Sequence, residues 1–261
     1  MDLGLDEAVA LVTGGGRGVG LGITSILAAA GASVVICGRT PPEDVPRGIV
    51  FRACDVRHAD DVAALVEWIA AEFGSLDVAV NNAGGAPYSP AADASPRLHA
   101  KVVELNLLAP LIVAQAANAV MQRQAGGGSI VMVSSVSGHR PSPGTAAYGA
   151  AKAGLDSLTG TLAVEWAPKV RVNSVVAGMV RTEQSHLHYG DEAGIAAVGR
   201  TVPLGRMARP DEIGNCVAFL ASPLASYVSG STLTAHGGGE APAFLSAASA
   251  PHSVQPTEGT S

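Results

Sequence analysis

The sequence predicts an α/β fold: a single Rossmann-like domain on a doubly wound parallel sheet of about seven strands, with helices on both faces. Three observations predict it. Short β-branched runs alternate with helical stretches as far as about residue 239. The run SVVICG is β-branched and continuous, as a strand buried on both faces should be. The first run also ends in a glycine-rich turn, TGGGRGVG (Thr13–Gly20), that opens straight into an apolar helix.

Taken in order, the elements begin with the strand AVALVT (Ala8–Thr13) and the helix LGITSILAAAGA, which stops at Gly31. The strands SVVICG (Ser33–Gly38) and IVFRAC (Ile49–Cys54) follow. Between Arg39 and Gly48 lie eight residues, three of them proline, which is too short for a crossover helix and predicts a bare loop. DDVAALVEWIAAEFG is a helix ending at Gly74, and LDVAVNN (Leu76–Asn82) is the fourth strand. A long helical stretch covers about Pro96–Gln124, with a kink expected at Pro110. SIVMVSS, the helix AAYGAAKAGLDSLTGTLAVEWA and VRVNSVV come next, then the helix DEIGNCVAFLAS and a last strand in STLTAHGG. The domain organisation read from this is a catalytic, dinucleotide-binding domain over 1–240 and a poorly anchored tail over 241–261, rich in Ala, Ser and Pro.

The 261 residues suit one large domain. Hydrophobic residues are 48% and charged residues 15%, below the ~25% of an average soluble domain, so an extensive core and buried subunit contacts are expected. A net charge of −6 disfavours nucleic acid as a partner. No uninterrupted apolar run has the length of a membrane span, and the N-terminus lacks a basic, signal-like start; no membrane association and a cytoplasmic location are the expectation. Cys37, Cys54 and Cys216 lack CxxC spacing and read as reduced, buried thiols. His186 and His188 have no Cys or acidic partner at ligand spacing, so no metal site is expected.

Two features carry chemistry. Glycines between a strand and a helix let backbone approach a pyrophosphate, while the helix N-terminus offers free N–H groups and the positive end of its dipole. Further on, Tyr148 and Lys152 stand four residues apart, on one face of the helix they open, with serines upstream in SSVSG. A dinucleotide site also needs a group at the end of the second strand for the adenine ribose. Here that position holds Gly38 and Arg39, with Arg17 inside the glycine turn; two guanidiniums suit a 2′-phosphate, which predicts NADP(H), with NAD(H) as the alternative.

The combination of TGxxxGxG (Gly14, Gly18, Gly20), NNAG (Asn81–Gly84) and YxxxK (Tyr148–Lys152), in that order, resembles the short-chain dehydrogenase/reductase family in its single-domain branch. Echoes in CDV, LNL, RVNSVVAG, PLGRMARPDEI and YVSGSTL extend the resemblance from residue 8 to about 239. It implies hydride exchange between a nicotinamide and a secondary alcohol or ketone. It assigns catalytic roles to Asn106 in LNL, to Ser135, thirteen residues before the tyrosine, and to Tyr148 and Lys152. It places the cofactor on Gly14, Gly16, Arg17, Gly18, Val19 and Gly20, on Gly38, Arg39, Asp55 and Val56 at the adenine end, on Asn82, Ala83 and Gly84, and on Tyr148, Lys152, Gly178, Val180 and Thr182 near the nicotinamide. A phenol titrates near ~10, so the expected role of the Lys152 ammonium, with the cationic nicotinamide, is to lower the pKa of Tyr148 until it serves as acid and base. Ser135 would donate to the substrate oxygen.

Two positions depart from the family pattern: Ala177-Gly178 replaces Pro-Gly, and His236 stands where an acid is frequent. Residues 183–201, with Gly190, Gly194 and Gly199, are expected to form a substrate lid. A 3-oxoacyl or 3-hydroxyacyl thioester is the alternative substrate, with a rim drawn from Arg140, Arg181, Arg200, Arg206 and Arg209; a bulky cyclic ketone comes next. Enoyl-thioester reduction is disfavoured, since that relative spaces its Tyr and Lys more widely. A non-catalytic dinucleotide sensor is the alternative of another class, but such proteins lose the Tyr or Lys that this chain keeps. His139 reads as a loop residue or a pocket lining. The weakly charged helices over 147–166 and 96–124 predict a homo-oligomer, a dimer or tetramer.

Overall fold

The computed structural model describes residues 2–43, 45 and 47–247. Strand β1 (Val9–Thr13) leads into helix α1 (Gly18–Ala29), followed by β2 (Ser33–Gly38), β3 (Val50–Ala53), α2 (Ala59–Phe73) and β4 (Val78–Asn81). Helix α3 (Pro96–Val103) continues through a wide π-turn (Glu104–Leu108) into α4 (Ala109–Met121). Then come β5 (Gly128–Ser135), α5 (Ala146–Trp166) and β6 (Val170–Ala177). Two short helices, α6 (His186–Tyr189) and α7 (Glu192–Thr201), precede α8 (Pro210–Ala221), β7 (Thr232–Ala235) and α9 (Ala243–Ala247).

The seven strands form one parallel sheet in the order β3-β2-β1-β4-β5-β6-β7. The order reverses between β1 and β4, so the loops leaving those two strands diverge and open a crevice at the carboxyl edge. Apolar residues cover both faces. Ile23 and Leu27 of α1 and Ile213 and Val217 of α8 close one side; Val62 and Ile69 of α2, Val113 and Ala117 of α4, and Leu155 of α5 close the other. Strands covered twice are predominantly apolar, and β1 is buried throughout, its one polar residue, Thr13, placing its hydroxyl in hydrogen bonds. Helices α1 and α8 touch at glycine: a Cβ on Gly22 would lie 2.4 Å from the Pro210 backbone.

Most strand and helix boundaries fall within one or two residues of those the sequence predicts. The described residues between β2 and β3 contain no helix, as the prolines there dictate. The long helix over 96–124 is where the structure adds something. Pro110 has no N–H to give the carbonyl four residues back, and the chain answers with the π-turn over 104–108. Pro96–Met121 is long and apolar enough to cross a membrane by length and composition; here it is interrupted at that turn, and its buried residues pack beneath the sheet. Residues 183–201 fold into two short helices, with Gly190 at positive φ between them and Asp191 capping α7. Of the tail, 241–247 carries the short helix α9 and follows Glu240, which is ion-paired to Arg140; residues 248–261 lie outside the described residues.

Candidate active site

The crevice is built from the ends of β1, β4, β5 and β6. Thr13, the last residue of β1, is buried; its hydroxyl donates to the Val80 carbonyl and accepts from the N–H groups of Asn82 and Ala83, both at 3.0 Å. The Asn82 amide returns the contact, donating to the carbonyls of Thr13 (2.9 Å) and Gly14 (3.2 Å). The glycine turn and the NNAG loop are thereby stitched into one floor. Gly14 and Gly18 have positive φ, and a Cβ on Gly20 would stand 2.1 Å from the Gly14 carbonyl oxygen, so only glycine closes this turn. Arg17 precedes α1 without a side-chain cap, and no acid occupies the first turn. The N–H groups from Gly18 to Gly20 thus begin a helix with no carboxylate of the first turn to satisfy them, which fits a diphosphate. Gly16 packs on Pro42, Gly18 on the methyl of Thr182, and Val19 is half-buried beside them.

Just past Gly38, the last residue of β2, Arg39 borders a cleft of about 530 Å³ that also includes Arg52, Cys54, Asp55, His58 and Trp68. Arg39 and Arg17 are both exposed. Arg52 lies flat over Trp68, 3.7 Å from the ring centroid, a stacking the sequence does not announce. Arg57 grips Asp55 through backbone and guanidinium and holds its carboxyl well below the usual carboxylate range. Val56 is buried beside it.

The reactive groups meet where β5 ends and α5 begins. Ser135 closes β5; its hydroxyl accepts from the Ser137 N–H at 3.2 Å, and its side chain acts on the Tyr148 phenol, favouring the ionised form. Lys152, one turn along α5, is 3% exposed, and its Nζ donates to the Val133 carbonyl at 2.7 Å and stands 5.6 Å from the Tyr148 ring centroid. Asn106, fully buried on the π-turn, accepts from Gly85 N–H at 2.8 Å and donates to the carbonyls of Gly85 and Val102, both at 2.9 Å. Gly84 sits between: a Cβ there would be 2.6 Å from Asn106 Oδ1 and 3.6 Å from Lys152 Nζ. Four predicted residues, Asn106, Ser135, Tyr148 and Lys152, therefore converge beside the cradle. Gly178 leaves β6 against His236, Val180 bridges to Ala208, and Thr182 turns over the cradle with its N–H on Ser185.

In the ligand-free chain burial governs both groups. It pushes the Tyr148 phenol up, with the Ser135 side chain opposing and Tyr189 of α6 adding to the rise. Burial pushes Lys152 itself down to about 8, with Asp156 opposing, and its ammonium is turned to the Val133 carbonyl.

Asp156 is the residue that sequence reading missed. It accepts from Ser174 (2.7 Å) and Ser134 (2.9 Å), and a His139 ring nitrogen lies 2.8 Å away. Ser134, the neighbour not chosen for catalysis, is thus occupied in holding α5. Extending the Tyr148–Lys152 spacing by one more turn would have found Asp156 on the same face.

A family model described as enoyl-(acyl carrier protein) reductase matches residues 14–240. The cis-4-hydroxycyclohexanecarboxylate dehydrogenase of Sinomonas cyclohexanicum is 39% identical over 89% of this chain and 96% of its own. The human dehydrogenase/reductase SDR family member 4 is 32% identical over 90% and 88%. The ligand-free structure of the aldohexose dehydrogenase of Thermoplasma acidophilum superposes with a TM-score of 0.85, at 30% identity over 90% of this chain and 94% of that one. A family match over nearly the whole sheet, on a chain whose glycine cradle and Ser-Tyr-Lys cluster meet at one crevice, leads to the conclusion that this chain belongs to the short-chain dehydrogenase/reductase family, oxidoreductases that act on small molecules with a nicotinamide dinucleotide.

Proposed function

We propose that the protein interconverts a secondary alcohol and a ketone with NADP(H), using Tyr148 as acid and base. The observation that carries this reading is the convergence of Ser135, Tyr148 and the buried ammonium of Lys152 where β5 ends and α5 begins, beside Gly84 of the cradle floor. When bound, the nicotinamide supplies the hydride acceptor for the alcohol or the hydride donor for the ketone. Tyr148 Oη takes the hydroxyl proton in oxidation and returns it in reduction. Ser135 Oγ donates to the substrate oxygen and orients it. Lys152 sets the local positive charge, and the raised phenol of the ligand-free chain means that the remaining stabilisation of a phenolate comes with the loaded site. Asn106 fixes the Gly85 loop that walls the site.

NADP(H) is favoured over NAD(H) because Arg39 and Arg52 share the cleft at the end of β2 while Asp55 there is already taken by Arg57. The segment 183–201 serves as a lid, with Tyr189 contributing to the raised phenol of Tyr148. The Sinomonas relative acts, by its name, on a ring-bearing hydroxy acid, and that substrate class is the first to test here. A phosphate-bearing acyl thioester is less favoured. Arg181, Arg206 and Arg209 are each paired with a nearby carboxylate and do not form a free basic rim. Exposed apolar side chains on the outer helices, Leu108 and Val164 among them, support self-association through α4 and α5; a monomer by light scattering contradicts it.

The experiment is a panel of cyclic ketones and alcohols, with and without a carboxylate, and of acyl thioesters, read by the absorbance of the reduced nicotinamide. Turnover of a ketone with NADPH is expected; turnover of thioesters alone contradicts the reading.

A further inference from the structure

We propose that Arg140 is an anion-binding residue of the substrate site, taking a carboxylate carried by the substrate in exchange for that of Glu240. The inference rests on the alcohol–ketone reading above and extends it to the far end of the substrate. Arg140 lies five residues after Ser135, on the loop that joins β5 to α5. One guanidinium nitrogen donates to the Pro141 carbonyl at 3.1 Å, and another stands 2.6 Å from Glu240 Oε1. Ser135, Ala177 and Ala235 pair in register across β5, β6 and β7, and Arg140 and Glu240 each lie five residues beyond that row, so the ion pair spans the carboxyl edge of the sheet on either side of the turn at Gly178. Burial pushes the Tyr189 phenol up, with Arg140 pulling it down and Glu240 pushing it up.

Arg140 differs from the other arginines around the site. Its side chain is 32% exposed, against 58% for Arg181, 51% for Arg206 and 61% for Arg209. Those three pair with carboxylates at most eleven residues away, whereas Arg140's partner comes from the chain's far end, 100 residues later. Glu240 directly follows Gly237, Gly238 and Gly239, all at positive φ, and precedes the short helix α9. A half-exposed ion pair of this kind contributes little net stability, so one carboxylate can replace another at small cost. The guanidinium fork suits a planar carboxylate, which it can bind through two parallel N–H groups. Glu240 therefore occupies, in the ligand-free chain, the position that a substrate carboxylate takes.

The test uses the full chain with saturating dinucleotide and two matched ketones, 4-oxocyclohexanecarboxylate and its methyl ester. The wild type is expected to favour the acid. Arg140→Gln should lower the acid-to-ester ratio of kcat/KM by about 10- to 100-fold, chiefly through KM for the acid. Arg140→Lys should restore part of that ratio, and Glu240→Gln should raise it. A ratio unchanged in Arg140→Gln, or a wild type that favours the ester, overturns the proposal while leaving the alcohol–ketone reading intact. If the wild type reduces neither ketone, that reading fails by itself, and calorimetry with cyclohexanecarboxylate then decides. Binding that Arg140→Gln loses upholds the subsite, and no binding to the wild type overturns it.

Discussion

The ammonium of Lys152 donates to the carbonyl of Val133 at 2.7 Å, so the helix bearing Tyr148 is tied by a buried charge to the strand that ends in Ser135. This contact aligns the two halves of the site, while the burial around it makes Lys152 hard to keep protonated. Its surroundings exclude water, and the carbonyl dipole and Asp156 compensate only in part.

That burial has a consequence for stability against pH. An unfolded Lys152 titrates near 10.5 and the folded one near 8, so below 8 both are charged and the folded state bears the desolvation penalty. Between about 8 and 10.5 the folded state sheds the proton first, and the penalty is relieved as pH rises. Relative to Lys152→Met, the wild type should gain about 3 kcal/mol across that window, measured by denaturant unfolding at each pH. A difference independent of pH contradicts the buried-ammonium account.

Asp156 opposes the downward shift of Lys152 from one turn away. Asp156→Asn should therefore lower the Lys152 pKa further. The high-pH limb of turnover, where Lys152 loses its proton, should move to lower pH. Weakening of the charge-assisted bonds from Ser134 and Ser174 should also cost about 2 kcal/mol of stability. The check is the pH profile of kcat/KM together with thermal unfolding; a loss of stability with an unmoved profile assigns Asp156 a purely structural part.

Much of this was legible in the sequence, and the exceptions share a cause. Strand runs such as Ser33–Gly38 declare themselves because double burial leaves an unbroken apolar stretch, Val34–Cys37, at their centre. The Tyr148–Lys152 spacing declares itself because helix geometry alone makes the two share a face. Pro110 announces a break, but that the break would be a π-turn presenting Asn106 to Gly85 depends on the neighbouring loop. The Asp156 cluster joins Ser134, His139 and Ser174 from three separate segments, and Arg52 meets Trp68 across a strand and a helix. The upward shift of Tyr148 follows from burial, which no local spacing encodes.

The proposed choice of NADP(H) rests on the cleft after β2. Arg39→Ala should reduce the preference for NADPH over NADH by about 10- to 100-fold, the worth of a charge-assisted pair to a 2′-phosphate. The measurement is kcat/KM for each dinucleotide with one ketone. A preference for NADH that survives the substitution contradicts the assignment.

The most direct test of the central claim is Tyr148→Phe, assayed for turnover and, separately, for dinucleotide affinity by calorimetry. The variant keeps the ring on α5 and removes only the phenol oxygen. The account predicts a fall in kcat of about 100-fold or more, up to about 10,000-fold, with dinucleotide affinity close to that of the wild type. Turnover that persists within a few-fold of the wild type would contradict it.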